Sequence, residues 1–165
     1  MNLCADDTAV GAEVGYGAPR RQTNSFESVF AEVEQVMMGA CAEEQEWPAQ
    51  IARGITAAID FLAENPRAAK TLTVDSRSGA GEQSDYPAMI GRFAALLGDS
   101  APSSQRLPAS SDHSVVAVIA AIVSCHVRAG TIDSLSEGDP DLVFLALLPY
   151  AGFAEASRWS ASVSR

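Results

Sequence analysis

From about residue 25 onward, apolar side chains recur every three or four positions, and no stretch alternates convincingly between apolar and polar. Spacing of that kind lays one side of a helix against a core, whereas a half-buried strand needs a period of two. An all-α chain of about six helices is therefore expected, arranged as a helical bundle. The type of apolar residue narrows the packing. Alanine supplies 29 of the 165 residues, and Leu, Ile, Val, Phe and Met together supply only 41. A core built of so many methyl groups requires closely approaching helices. A chain of this length suits one domain and can bury about 69% of its unfolded surface, so it folds without staples.

The first helix is expected over 25–45, with Asn24 as cap and Glu27 at the third helical position. Phe26, Val29, Phe30, Val33, Val36, Met37 and Cys41 share its apolar face. A second helix over 48–64 has Pro48 in its first turn and Ile51, Ile55, Ala58, Ile59 and Leu62 along one stripe. Asn65-Pro66 ends it and opens a short third helix over 66–75, because proline disfavours a helical residue before it. Residues 76–84 read as a connection. A fourth helix over 86–97 is expected to close at Gly98 in the left-handed conformation. The fifth, over 112–129, starts at Ser111 or Asp112 and ends at Gly130. The sixth starts at Asp139-Pro140, is apolar all round over 142–148, and is expected to kink or break at Pro149, with a shorter stretch to Trp159. Residues 1–22 read as a loosely attached tail, 23–160 as the domain and 161–165 as a second tail.

Charge and chemistry exclude several functions. There are 21 acidic and 11 basic residues, a net charge of −10, and Lys70 is the sole lysine. Direct nucleic-acid binding needs clustered positive charge and is not expected. Cys4, Cys41 and Cys125 are odd in number and widely spaced, so the chain reads as cytoplasmic, with Cys41 and Cys125 as buried thiols. The N-terminus lacks the features of a secretory signal. The longest apolar runs, 115–123 and 142–151, fall short of the ~18 residues that span a bilayer, and no membrane partner is expected. Cys125 and His126 are adjacent on a helix and point about 100° apart, so they do not act on one atom. His113 and His126 lie 13 residues apart, too far for a local zinc motif. None of the 18 serines sits in a Gly-x-Ser-x-Gly elbow. Gly79-Ala80-Gly81 lacks the Lys-Ser/Thr of a phosphate loop. The glutamates of the first helix read as a solvated face. No catalytic residue, metal or cofactor is expected.

The fifth and sixth helices are apolar on more than one side and need cover on both. Pairing them with the same helices of a second copy makes a four-helix bundle. Val116, Ile119, Val123, Leu142, Leu145 and Pro149 are the expected dimer contacts. Phe30, Met37, Ile59, Phe61, Met89, Phe93 and His126 are the candidates to line a cavity for a small apolar ligand.

Three passages carry a family likeness. Ile55–Leu72 (ITAAIDFLAENPRAAKTL) resembles the fifth-to-sixth helix passage of the TetR family of bacterial transcriptional repressors. Leu107–Gly130 resembles that family's eighth helix, and Asp139–Gly152 (DPDLVFLALLPYAG) its ninth. Ser25 through Val36 looks like the fourth helix, which joins the two domains of such repressors. The resemblance covers residues 24–158 in the family's order. It implies a TetR-like ligand-sensing and dimerisation domain. About 23 residues precede it here, against the roughly 45–50 of the family's helix-turn-helix, so a regulator without its own DNA reader is expected. Such a domain would form homodimers, or heterodimers with a full-length TetR-like protein. Two alternatives stand beside it: a fragment of a full-length repressor, and a small all-α enzyme or cofactor-binding protein using His126.

Overall fold

Prolines set three of the helix starts. Pro48, Pro66 and Pro87 each occupy a first helical turn, where the missing N–H has no partner to lose. In the computed structural model, which describes residues 26–77, 84–137 and 139–163, the chain forms six α-helices and, among those residues, no strand. They are α1 (Phe26–Cys41), α2 (Trp47–Glu64), α3 (Pro66–Thr73), α4 (Tyr86–Ser100), α5 (Ala109–Ala129) and α6 (Asp139–Ser162). Short 3₁₀ turns at Asp75–Arg77 and Ile132–Glu137 follow α3 and α5. The expected Asn24 cap, the tail over 1–22 and Gly79-Ala80-Gly81 lie outside the described residues.

The Asn65-Pro66 junction separates α2 from α3 as the sequence implies. Asn65 leaves the helical region (φ −124°, ψ 71°), and both its N–H and its side-chain amide donate to the Phe61 carbonyl. Gly130 ends α5 in the left-handed region (φ 69°), with its N–H on the Val127 carbonyl and that of Thr131 on His126.

Elsewhere the boundaries move for identifiable reasons. α1 stops at Cys41, short of residue 45, where Glu44 N–H turns back onto the Cys41 carbonyl. Gly98 does not terminate α4; it lies inside a helix that continues to Ser100. Its role is close approach: a Cβ at Gly98 would collide with the Asp112 carboxylate. α5 begins three residues early because Pro108, in extended conformation (φ −57°, ψ 141°), serves as its cap. Asp112 is thereby drawn into the helix and buried rather than capping it. The break in α6 falls at Gly152, not Pro149. Proline deprives Leu145 of a helical donor, yet the chain stays helical until the first residue able to adopt φ 76°, ψ 173°, a region open essentially to glycine alone.

Two apolar clusters form the interior. The larger joins α1, α2, α3, α4 and α5 around Phe30, Leu72, Met89 and Val33. The smaller gathers Trp47, Leu97, Val143, Leu147, Tyr150 and Ala156 against α6. Ile55 and Val116 touch both. Phe30 is fully buried; Phe93 lies against its ring at 4.6 Å between centroids, and the Arg92 guanidinium covers it at 3.7 Å. Arg92 also pairs with Glu27 (2.8 Å) and Glu34 (3.6 Å), so part of the α1 carboxylate face is tied to α4 rather than merely solvated.

A polar cluster sits at the end of the smaller core. The Tyr150 hydroxyl donates to the buried Asp112 carboxylate. Trp47 packs edge-on against Tyr150 at 5.3 Å and donates through Nε1 to Ser100 Oγ at 3.0 Å. Burial, then the Asp112 hydrogen bond and charge, push the Tyr150 phenol above its ordinary range.

Tyr150→Phe strands a buried carboxylate without its donor and is expected to cost about 1–3 kcal/mol, read by urea unfolding at pH 7. The folded phenol holds its proton more tightly than the unfolded one. Its contribution is therefore complete below pH ~10 and lost as pH rises beyond, so the gap between parent and variant should narrow in alkali. Gly152→Ala forces a side chain into a glycine-only conformation, and a loss of roughly 1–3 kcal/mol by the same measurement is expected.

Candidate ligand cavity

Small residues open the space between the helices. Gly54 on α2 lies so close to α1 that a Cβ there would come within 2.8 Å of Cys41 Sγ. Beyond this contact α1, α2, α4 and α5 diverge around a cavity of about 400 Å³. Val33, Met37 and Met38 of α1, Ile55, Ile59 and Leu62 of α2, Met89, Phe93 and Leu96 of α4, and Val116, Ile119, Ala120 and Val123 of α5 form most of its wall. Leu72 and Thr73 of α3 and Ala146 of α6 complete it. Met38, Ala42 and Ser100 are exposed, which places the opening between the C-terminal ends of α1 and α4. The volume lies within the range of small-molecule pockets.

Four of the seven candidate lining residues meet on this wall: Met37, Ile59, Met89 and Phe93. Phe30 does not; it lies wholly within the core behind Phe93. Phe61 packs against the core from outside the cavity. His126 belongs to a second space of about 430 Å³, lined by Ile122, Ser134, Leu135, Asp141, Leu142, Phe144 and Leu145. The small and polar wall residues Gly54, Thr73 and Ser100 escape sequence reasoning, because nothing in an apolar stripe marks where its small members leave a gap.

The polar groups of the first cavity are few. Cys41 Sγ donates to the Gln50 carbonyl at 3.1 Å, and burial pushes its thiol up despite a Gly54 backbone hydrogen bond. A thiol held protonated is a poor nucleophile. Around His126, Nδ1 lies 3.2 Å from both the Thr131 carbonyl and hydroxyl and 3.4 Å from Ser134 Oγ. Ser134 already donates to the Thr131 carbonyl at 2.7 Å, so its proton is not aimed at the imidazole as a nucleophile requires. No group of three His, Cys, Asp or Glu side chains able to hold a metal occurs among the described residues.

The expected dimer contacts divide. Val123 and Leu142 are buried in the chain's own core, and Val116 and Ile119 face the cavity. Leu145 borders the second space and Pro149 is exposed. On the outer side of α5, Val118 and Cys125 are exposed, flanked by the partly buried Val115 and Ile122. Val118 is 48% exposed, and Phe153 beyond the α6 break is 71% exposed while resting edge-on against Phe144. Cys125 is thus exposed, contrary to the buried thiol expected there; Cys41 is half-buried. By length and composition, Ala109–Ala129 is the one described helix able to cross a membrane, although no single apolar run reaches that length. Only 28% of its most apolar 18-residue stretch is buried, which reflects the uncovered outer side.

Comparison with protein-family models, curated proteins and solved structures finds no match to this chain.

Ala120 is buried on the cavity wall, so Ala120→Leu places its added carbons in open space. The variant is expected to keep the parent's stability or gain up to about 2 kcal/mol in thermal unfolding. A comparable loss would mean the space is closed in solution.

Proposed function

We propose that this chain is a ligand-sensing and dimerising helical domain of the TetR type, acting in a bacterial cytoplasm without catalysis. The observation that carries this reading is the apolar cavity of about 400 Å³ enclosed by α1, α2, α4 and α5. Those are the helices among which the resemblance implies a ligand, and α1 corresponds to the helix that relays occupancy in such regulators. Met37, Met38 and Cys41 place α1 directly on the wall, so a bound molecule presses on it.

The second support is the outer surface of α5 and α6. Val118, Ile122, Leu145, Leu148, Pro149 and Phe153 form a partly exposed apolar face that a second copy, or a full-length relative, would cover. This replaces Val116, Ile119, Val123 and Leu142 as contacts. The net charge of −10 favours regulation through protein pairing or ligand capture over phosphate contacts made by this chain.

Two measurements test the reading. A panel of neutral apolar compounds is expected to include members that raise the melting temperature; at a hundredfold excess over Kd the stabilisation is about 2.7 kcal/mol, or roughly 5–11 °C for a chain of this size. Sedimentation is expected to find a dimer that Val118→Glu and Phe153→Glu together convert to monomer. A parent that stays monomeric at high concentration removes the pairing claim.

A further inference from the structure

The polar groups of the cavity wall are unequal in what they still offer. Thr73 Oγ1 has donated its hydrogen to the Ala69 carbonyl at 2.8 Å. Ser100 Oγ has donated to the Leu97 carbonyl at 2.8 Å and accepts from Trp47 Nε1. The Cys41 thiol is spent on the Gln50 carbonyl. Gln50 Nε2 donates to the Glu44 carbonyl at 3.0 Å, which leaves its second N–H as the one side-chain donor uncommitted on this wall. Main-chain N–H groups along the wall lie inside helices and serve the carbonyls four residues back. What remains is that one N–H of Gln50 among oxygen lone pairs on Ser100, Gln50 and Thr73.

Charge points the same way. Among the described residues, no Lys, Arg, Asp or Glu side chain lines the cavity. Glu43 and Asp99 are exposed and adjoin Ala42 and Ser100 at the opening. The nearest cation along α2, Arg53, is paired with Glu44 at 3.6 Å. The opening also lies at the C-terminal ends of α1 and α4, where helix dipoles present partial negative charge. A carboxylate entering here would lose its water and find a single side-chain donor, the second N–H of Gln50, among acceptors and with no cation to pair with.

We infer that the cavity selects an apolar molecule whose head group donates hydrogen bonds and carries no negative charge, an alcohol or an ammonium rather than an acid, seated with its head at Ser100 and Gln50. At about 30 Å³ per water-sized group, 400 Å³ holds on the order of a dozen non-hydrogen atoms. The inference rests on the ligand-sensing reading above, which fixes only that the ligand is small and apolar. Trp47 supplies a reporter, since a head group at Ser100 changes the surroundings of its indole N–H.

The experiment titrates the full chain at pH 7.4 with 1-decanol, decylammonium and decanoate, read by tryptophan emission and calorimetry. Decanol and decylammonium are expected to bind roughly a hundredfold more tightly than decanoate, given the cost of dehydrating an unpaired carboxylate. Ala120→Leu is expected to abolish binding of all three. Decanoate binding as tightly as decanol, with the same loss in Ala120→Leu, overturns the inference and leaves the ligand-sensing reading standing. Binding by none of the three, together with no melting shift across the neutral panel, overturns both.

Discussion

A buried carboxylate fixes where four helices meet. Asp112 of α5 is nearly closed off from water, accepts from Tyr150 of α6, and presses against Gly98 of α4. Trp47 of α2 leans on the same phenol and reaches Ser100 at the end of α4. Burying a charge in this way is costly unless hydrogen bonds surround it, which makes the geometry of the donors demanding. The hydrogen bond ties α6 to α5, and the contact of the carboxylate with Gly98 sets how closely α4 approaches α5. The cavity opens directly beside this junction, through Leu97 and Ser100. At the other side of the opening Gly54 draws α1 against α2. The void is held between two close contacts that the apolar side chains themselves would not impose.

Most of the helical order was legible in the sequence, because periodicity and punctuation agree. Asn65-Pro66 and Gly130 act through local backbone geometry, so their outcome needs no knowledge of neighbours. Gly98 and Asp112 depart from the expected caps for the opposite reason. A glycine near a helix end and an aspartate near a helix start are ordinary caps, and only their contact across two helices turns them into a packing site. Pro149 and Gly152 show a related limit. Both residues disrupt a helix, and the chain takes the exit that glycine alone permits.

The cavity divided on similar grounds. Met37, Ile59, Met89 and Phe93 reach it, while Phe30, from the same stripe as Met37, and Phe61, beside the stripe of Ile59, do not. A stripe identifies the inward side of a helix but not which inward residues meet each other and which meet empty space. The expected dimer contacts illustrate the same point on α5. That helix is apolar around most of its circumference, so the sequence shows that several faces need cover without saying which faces its own chain covers. Val116, Ile119 and Val123 line the cavity, Val115 and Ile122 pack at the edges of the two cores, and Val118 turns out.

The turn at Gly152 divides α6 into pieces of unequal security. Before it, Leu142, Val143, Ala146 and Leu147 are buried against the rest of the chain. After it, Ala156 is the one residue fully enclosed, with Trp159 and Val163 lying partly covered beside it. A segment tethered through a single methyl group and an indole opens at lower cost than the helix it continues. The last ten residues of the helix are thus held by fewer buried groups than the part before the turn. Phe153 and Phe144 meet just beyond that turn, so a shift of this segment would reshape the outer apolar face proposed for pairing.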